Sequence, residues 1–196
     1  MAQAQSFSAE LRHTINNVNC LSLTESPDGS YAVANKRFGI GLQILKRTRD
    51  GYELSAELFT GDNKFPQKIG IGDGGNVFLV AFTDRTLKLY TRKANLTFEE
   101  TQLLSDLDEI PFSIIYSEAK KCFVLADYQH TWLYALNEGK VKQIGTLEIG
   151  GDIHLSENGE RLFIQEKVFS FSKPAQPEPL FDFSNLKFHR LSPGSL

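Results

Sequence analysis

Between Ile69 and Lys93 the chain reads IGIGDGGNVFLVAFTDRTLKLYTRK. A short apolar stretch, Ile69-Gly70-Ile71, meets a turn at Asp73-Gly74-Gly75-Asn76. A continuous apolar run, Val77–Phe82, meets a second turn at Thr83-Asp84-Arg85. Thr86–Tyr90 then alternates, with Leu87 and Leu89 set against Lys88. Strand, tight turn, strand, tight turn, strand predicts an antiparallel meander. A run without a polar position predicts a strand covered on both faces. One three-stranded sheet cannot supply that cover, so the rest of the chain must.

The same pattern recurs. Upstream, LSL leads into the turn Ser26-Pro27-Asp28-Gly29, the apolar run Tyr31–Ala34, and the strands Gly41–Lys46 and Tyr52–Phe59. After the central meander, Thr97–Leu104 supplies a fourth strand. Then Phe112–Tyr116, Cys122–Ala126, Thr131–Leu136 and Val141–Leu147 repeat the cycle. A last cycle has Asp152–Leu155, Arg161–Ile164, Lys167–Phe171 and Leu180–Phe183. Tyr31, Phe78, Phe123 and Phe163 mark the same place in successive buried strands, roughly 47, 45 and 40 residues apart. Four strands per ~40–45 residues is the period of a propeller blade. The expected fold is all-β: a propeller-like array of about four four-stranded antiparallel blades over residues 15–184. A flexible or short helical arm (1–14, with Ser8–His13 the helical part) precedes it and a tail (185–196) follows.

Two stretches carry a family resemblance. Ser26-Pro27-Asp28-Gly29-Ser30-Tyr31 resembles the first turn and second strand of WD-repeat blades. Thr83-Asp84-Arg85-Thr86-Leu87-Lys88-Leu89-Tyr90 resembles the end of the same repeat, with Tyr90 in the tryptophan place. The Gly-His and Trp-Asp pairs of that family are missing, so the array is degenerate. Asp84 and Asp127 stand in its tight-turn aspartate position, where a carboxylate caps backbone N–H groups. A narrower resemblance joins VFLVAFTDRTLKLYTRK, FVLADYQHTWLYAL and IGTLEIGGDIHLSENGERLFIQEKVFSFS to the noncatalytic WD-repeat subunit of tRNA guanine-N7 methyltransferase. Asp127 in Ala126–Tyr134 and the reduced turn Gln165-Glu166-Lys167 carry it.

Four blades leave the ring question open. The array closes on itself, pairs with a second copy, or is completed by another protein chain, because an incomplete arc exposes edges and apolar faces. Whichever holds, Tyr31, Val33, Leu162 and Ile164 are expected to be largely buried, either against each other or against another chain.

Charge and chemistry change this picture little. The net charge of −3 implies no strong pull on nucleic acid. Arg37, Lys46, Arg47, Arg49, Arg85, Lys88, Arg92 and Lys93 make the first half the more basic one, either as a stripe near a catalytic partner or as the wet faces of third strands. Cys20 and Cys122 sit among apolar residues and read as buried thiols. Asn95-Leu96-Thr97 is a formal glycosylation sequon. No apolar run has the length of a membrane helix and no signal core opens the chain, so an intracellular location, cytoplasmic or nuclear, is expected.

His13, His130, His154 and His189 share no spacing, and Asp152 with His154 makes only two ligands where a metal site needs more. Glycines 70, 72, 74 and 75 precede a strand rather than a helix, so they form no phosphate loop. The expectation is therefore a noncatalytic interaction scaffold in a larger assembly, without metal or cofactor. The alternative is a noncatalytic subunit supporting a tRNA-modifying methyltransferase, touching RNA only through that enzyme. The turns between second and third strands should form the partner-binding end. They carry Lys36, Arg37, Asp84, Arg85, Tyr128, Gln129, His130, Glu166 and Lys167.

Overall fold

A computed structural model describes residues 20–36, 41–58, 65–94, 97–104, 107 and 109–184. The expected arm at 1–14, the tail from 185, Arg37, His13, His189 and most of the sequon lie outside them. Four antiparallel sheets, each of four strands in sequence order, make up the fold. The first blade holds β1 (Cys20–Glu25), β2 (Tyr31–Lys36), β3 (Leu42–Thr48) and β4 (Gly51–Leu58). The second holds β5 (Pro66–Gly72), β6 (Val77–Phe82), β7 (Leu87–Arg92) and β8 (Phe98–Leu104). The third holds β9 (Ser113–Ser117), β10 (Cys122–Ala126), β11 (Thr131–Asn137) and β12 (Lys140–Leu147). The fourth holds β13 (Ile153–Leu155), β14 (Arg161–Ile164), β15 (Lys167–Ser170) and β16 (Glu178–Asp182). The all-β, propeller-like array of four-stranded blades read from the hydrophobic pattern is the fold.

Stacking supplies the cover that VFLVAF needs. Every residue of β6 is buried. Phe78, Val80 and Phe82 face the first blade and meet Tyr31, Val33 and Ile44. Val77, Leu79 and Ala81 face the third blade and meet Ile114, Phe123 and Leu125. The third blade presents Cys122, Val124 and Ala126 to Ile153, Leu162, Ile164 and Phe169 of the fourth. Each fully buried Leu or Phe of this kind contributes about 1.5–3 kcal/mol.

Tyr31, Val33, Leu162 and Ile164 are buried, as expected, but between adjacent blades of this chain. The expected equivalence of Tyr31, Phe78, Phe123 and Phe163 needs correction. Counted from the preceding turns, Tyr31 corresponds to Val77, Cys122 and Arg161. Phe78 and Phe123 then correspond to Ala32 and Leu162. Phe78 and Phe123 face the preceding blade, Tyr31 faces the following one, and Phe163 lies opposite Leu162 on the outer face of the fourth. A strand apolar on both sides carries no alternation to set its register, and a slip of one residue exchanges the faces.

The inner strands β5 and β9 approach closely, and glycine allows it. Ile69 and Ile71 point to the first blade, so Gly70 and Gly72 point to the third. A Cβ on Gly70 would stand 2.4 Å from Ile114 Cγ2 and 3.2 Å from the Phe123 ring; one on Gly72 would stand 2.9 Å from the Tyr116 ring. The stretch Asp73–Gly75 is a single 3-10 turn. Gly75 has φ +82, and a Cβ there would meet the Tyr31 ring at 2.2 Å.

The turns between first and second strands reuse one device. In the first blade the Ser26 hydroxyl donates to Asp28 Oδ1 (2.6 Å), which also accepts from the Ser30 amide (3.1 Å), while Ser26 Oγ accepts from Tyr31 N (3.0 Å). In the fourth, Ser156 donates to Asn158 Oδ1 (2.7 Å), which accepts from Glu160 N (3.1 Å), and Ser156 Oγ accepts from Arg161 N (2.9 Å).

Two outcomes check these points. Gly70→Ala forces a methyl into Ile114 and should cost about 1–3 kcal/mol, a fall of several degrees in a thermal melt; an unchanged Tm would contradict the close stacking. In the second, Asp28→Asn should fold normally, because Asn158 already builds the same turn. The Ser26 hydroxyl, with help from Ser30, holds the Asp28 carboxyl below its usual value against the opposing effect of burial. Its folded-state pKa is depressed, so its contribution is present above the unfolded value of 3.8 and lost as pH falls through the lower folded value. Melts taken at falling pH should show a smaller acid loss in Asp28→Asn than in the parent chain.

Candidate functional site

The second-to-third-strand turns are built by local bonds. Asp84 Oδ1 accepts from Thr86 N (3.1 Å) and Thr86 Oγ1 (2.6 Å). Arg85 has φ +63, and its carbonyl accepts from Leu107 N at 3.2 Å. Asp127 is 1% exposed, and its Oδ1 accepts from the amides of Gln129 and His130, both at 2.6 Å. Both aspartates thus act as turn caps, the role their positions imply.

Tyr128 is 78% exposed and lies against Phe112, ring centroids 4.9 Å apart. His130 Nε2 stands 3.3 Å from Glu148 Oε2, its Nδ1 3.7 Å from Asp127 Oδ2, and its ring 5.8 Å from Trp132. The Glu166 carbonyl accepts from Phe183 N (2.8 Å), and Lys167 pairs with Asp182 (3.7 Å). Lys36 closes β2. The described candidates lie in or beside the turns between second and third strands, and each of these contacts stays within its own blade or the linker beside it.

Side chains from different blades converge at the opposite end. Lys121, in the β9–β10 turn, bridges to Asp73 of the second blade (2.9 Å) and to Glu118 (3.0 Å). Glu118 also accepts from Gly74 N at 3.0 Å. Arg92, the last residue of β7, donates to Tyr31 Oη of the first blade (2.5 Å) and holds its guanidinium 5.1 Å from that ring. Arg92 Nε is buried without a hydrogen-bond partner. Two strained turns frame the group: Asp73 with φ +52, and Glu138-Gly139 with φ +49 and +71.

Asp73, Arg92, Lys121 and the Glu138-Gly139 turn border a cleft of about 410 Å3 between the second and third blades. Asp73, Asn76, Thr91, Arg92, Lys121, Asn137 and Glu138 supply its polar wall, and Val77 and Leu136 its apolar floor. Its two cations match its two carboxylates. Asp73 first, and Glu118 with it, hold the Lys121 ammonium charged well above the ordinary lysine range. A cleft of this kind offers donors to oxygen, a carboxylate to take a proton, and two fixed positive charges.

A second cleft of about 310 Å3 brings Pro27 of the first blade together with Ser117 and Glu118 of the third and Ser156 and Glu157 of the fourth. Its titratable side chains are acidic apart from Tyr116, whose hydroxyl burial keeps protonated. Burial also pushes the Cys122 thiol up to about 12, which removes it as a nucleophile at neutral pH. Among the described residues no cluster of three or more His, Cys, Asp or Glu is placed to hold a metal, and no helix is long and apolar enough to cross a membrane.

The cleft was missed in the sequence because its residues come from separate turns. Asp73-Gly74-Gly75 and Asn137-Glu138-Gly139 read as plain turns, and Lys121 as part of another. Clustered glycine beside acidic residues at two turn tips was the available signal. Of the basic residues of the first half, read either as a stripe or as the wet faces of third strands, Lys88, Arg92 and Lys93 have partners within the fold. Lys88 bonds Glu100 (2.5 Å), Lys93 pairs with Glu99, and Arg92 is committed to Tyr31.

Neither a family model nor a curated protein matches the chain. Solved structures match its fold. The periplasmic gluconolactonase PpgL of Pseudomonas aeruginosa superposes with a TM-score of 0.62 at 13% identity, over 84% of this chain and 53% of that one. A Bacteroides uniformis protein described as a candidate 6-phosphogluconolactonase gives 0.62 at 14% identity, over 83% and 53%. A Lactobacillus plantarum protein gives 0.60 at 13%, over 82% and 56%. The chain spans about half the length of these structures, and at this identity the likeness is one of fold. No support emerges for the WD-repeat or methyltransferase resemblance.

The expectation of a noncatalytic scaffold is overturned here, and with it the alternative of a noncatalytic methyltransferase subunit. The array of blades was taken as an interaction platform because it carries no catalytic motif, yet structures of this fold are named as lactonases. Missing local motifs are no sign of missing chemistry in an architecture that assembles side chains from separate turns.

Proposed function

We propose that this chain contributes to a hydrolase that opens a small polyhydroxylated lactone, with the cleft between the second and third blades as its substrate site. The observation that carries the reading is the pairing, in one cleft, of two cations, Arg92 and Lys121, with two carboxylates, Asp73 and Glu138. The lactonase names attached to structures of the same fold support it.

A lactone is a cyclic ester, and its hydrolysis places negative charge on the carbonyl oxygen and then on a carboxylate product. Arg92 and Lys121 match that charge. Asn76, Asn137 and Thr91 supply hydrogen-bonding groups for sugar hydroxyls. Asp73 is committed to Lys121, which leaves Glu138 at the turn tip as the general base. Glu138 takes a proton from water as the water oxygen bonds the carbonyl carbon. The ring C–O bond then breaks, and Glu138 returns the proton to the departing ring oxygen, giving a hydroxy acid. Proton transfer of this kind contributes about 10^2–10^4 in rate.

The test is base uptake at constant pH with glucono-δ-lactone, read against its uncatalysed opening. The parent chain should exceed that background. Glu138→Gln should lower kcat by about 100-fold or more, and Lys121→Met should lower kcat/KM. No rate above background would end the lactonase reading. A Glu138→Gln chain as fast as the parent would move the chemistry out of this cleft.

A further inference from the structure

The second and third blades are joined at their outer strands by one side chain. Gln102 of β8 donates from Nε2 to the Val141 carbonyl (2.9 Å) and accepts at Oε1 from the Val141 amide (2.9 Å). Val141 lies on β12, the edge strand of the third blade. An edge strand has backbone groups with no ladder partner, and a carboxamide offers the donor and the acceptor that one such residue needs. A bulge aims Gln102 that way. The β7–β8 register shifts between Leu89 and Tyr90, so Leu89 stands opposite Gln102 and Tyr90 opposite Glu100. Thr101 is the extra residue between them, and its hydroxyl donates to the Leu89 carbonyl (3.3 Å). Leu89 faces the third blade and Tyr90 the first, so the extra residue turns Gln102 toward the third. The other blades shift register at the corresponding point, where they carry Ala56, Gly145 and Phe181. None of these has a hydrogen-bonding side chain. The clamp therefore belongs to the boundary between the second and third blades, which carries the cleft of about 410 Å3.

What the clamp holds is the β11–β12 turn. Asn137 pairs with Lys140 across it, and Glu138 and Gly139 at its tip have φ +49 and +71. Positive φ at both tip positions favours Asn, Asp or Gly first, so Glu138 sits in a strained place. Such residues persist where their surroundings over-determine them. Two contacts with the second blade do so here. A Cβ on Gly139 would lie 3.6 Å from Thr91 Cγ2, so the tip rests beside β7. Val141, next along β12 after Lys140, is bonded on both sides of its peptide to Gln102.

We propose that Gln102 is a positioning residue: by fixing Val141 to the second blade it holds the Glu138 turn at the cleft shared with Arg92 and Lys121, and so sets the rate of ring opening. The effect on rate rests on the lactone reading; the hold on the turn does not. The first arm of the test needs no substrate. Amide hydrogen exchange at Lys140 and Val141 should speed up about 10-fold in Gln102→Leu, with exchange in β10 unchanged. The second arm is the opening of glucono-δ-lactone. Gln102→Leu should lower kcat about 10-fold or more and leave KM within about two-fold. Gln102→Glu keeps the acceptor and loses the donor, so it should fall between the parent and Gln102→Leu in both arms. It also keeps the test decisive if Gln102→Leu misfolds. Added to Glu138→Gln, Gln102→Leu should lower kcat no further, because the two act through one group; a residue that only supports the fold would cost its full factor again. Unchanged exchange at Val141 overturns the proposal whatever the kinetics. Faster exchange with kcat unchanged overturns the positioning role. Faster exchange in a chain whose parent opens no lactone ends the lactone reading and leaves Gln102 as the hold on the turn.

Discussion

The structure depends on one constraint: the middle strands of the inner blades are apolar on both faces and must be covered twice. Val77–Phe82 meets it by lying between the first and third blades, and Cys122–Ala126 by lying between the second and fourth. Hydrogen bonding within a blade satisfies the backbone but buries neither face. Stability therefore comes mainly from blade against blade, and the contact distance decides how much. Gly70 and Gly72 set that distance where β5 passes the third blade, because the Ile114, Tyr116 and Phe123 side chains occupy the space a Cβ would take. The glycines next to the buried run are thus packing devices first and turn residues second.

The same stacking positions the cleft. Asp73 follows directly on the β5 strand that carries the two glycines, and Lys121 directly precedes β10, which packs against the second blade. The Asp73–Lys121 bridge is exposed at both ends, so it adds little to stability by itself. What it does is fix an ammonium group relative to Arg92 and Glu138. Arg92 is fixed from the other side by Tyr31 of the first blade. Three blades thereby set the charges around one small volume, which a loop-borne cluster within one blade could not do as rigidly.

Most of the architecture was legible in the sequence. Turn chemistry at Ser26–Gly29, Thr83–Arg85 and Glu157–Gly159 marked the strand ends, and the recurrence of buried runs marked the blades. What stayed hidden was the facing of residues within those runs. Val77–Phe82 would look the same whichever way its side chains pointed, and aromatic residues were taken as the marker because they stand out. The turns were the better ruler: Ser26 and Ser156 begin identical hydrogen-bonded loops, and counting from them gives the correct facing. The candidate site was less legible for a related reason. Single-blade features such as the Asp84 and Asp127 caps are local and can be read along the chain. The Arg92–Tyr31 and Lys121–Asp73 contacts join residues 61 and 48 positions apart.

This asymmetry bears on how function should be inferred for such folds. An α/β enzyme announces itself when a glycine-rich turn and a helix N-terminus adjoin in sequence, because a single short segment makes the site. A stack of blades has no such segment. Its turns each supply one or two side chains, and groups from several turns come together only where adjacent blades meet. Here the turn end with the more obvious polar and aromatic display, Tyr128 with His130, is explained by bonds that hold that turn and the neighbouring linker in place. The less conspicuous end holds the paired cations and carboxylates, and a buried guanidinium nitrogen with no partner. Local display therefore does not mark where charges from separate blades converge; only the folded arrangement of the turns does.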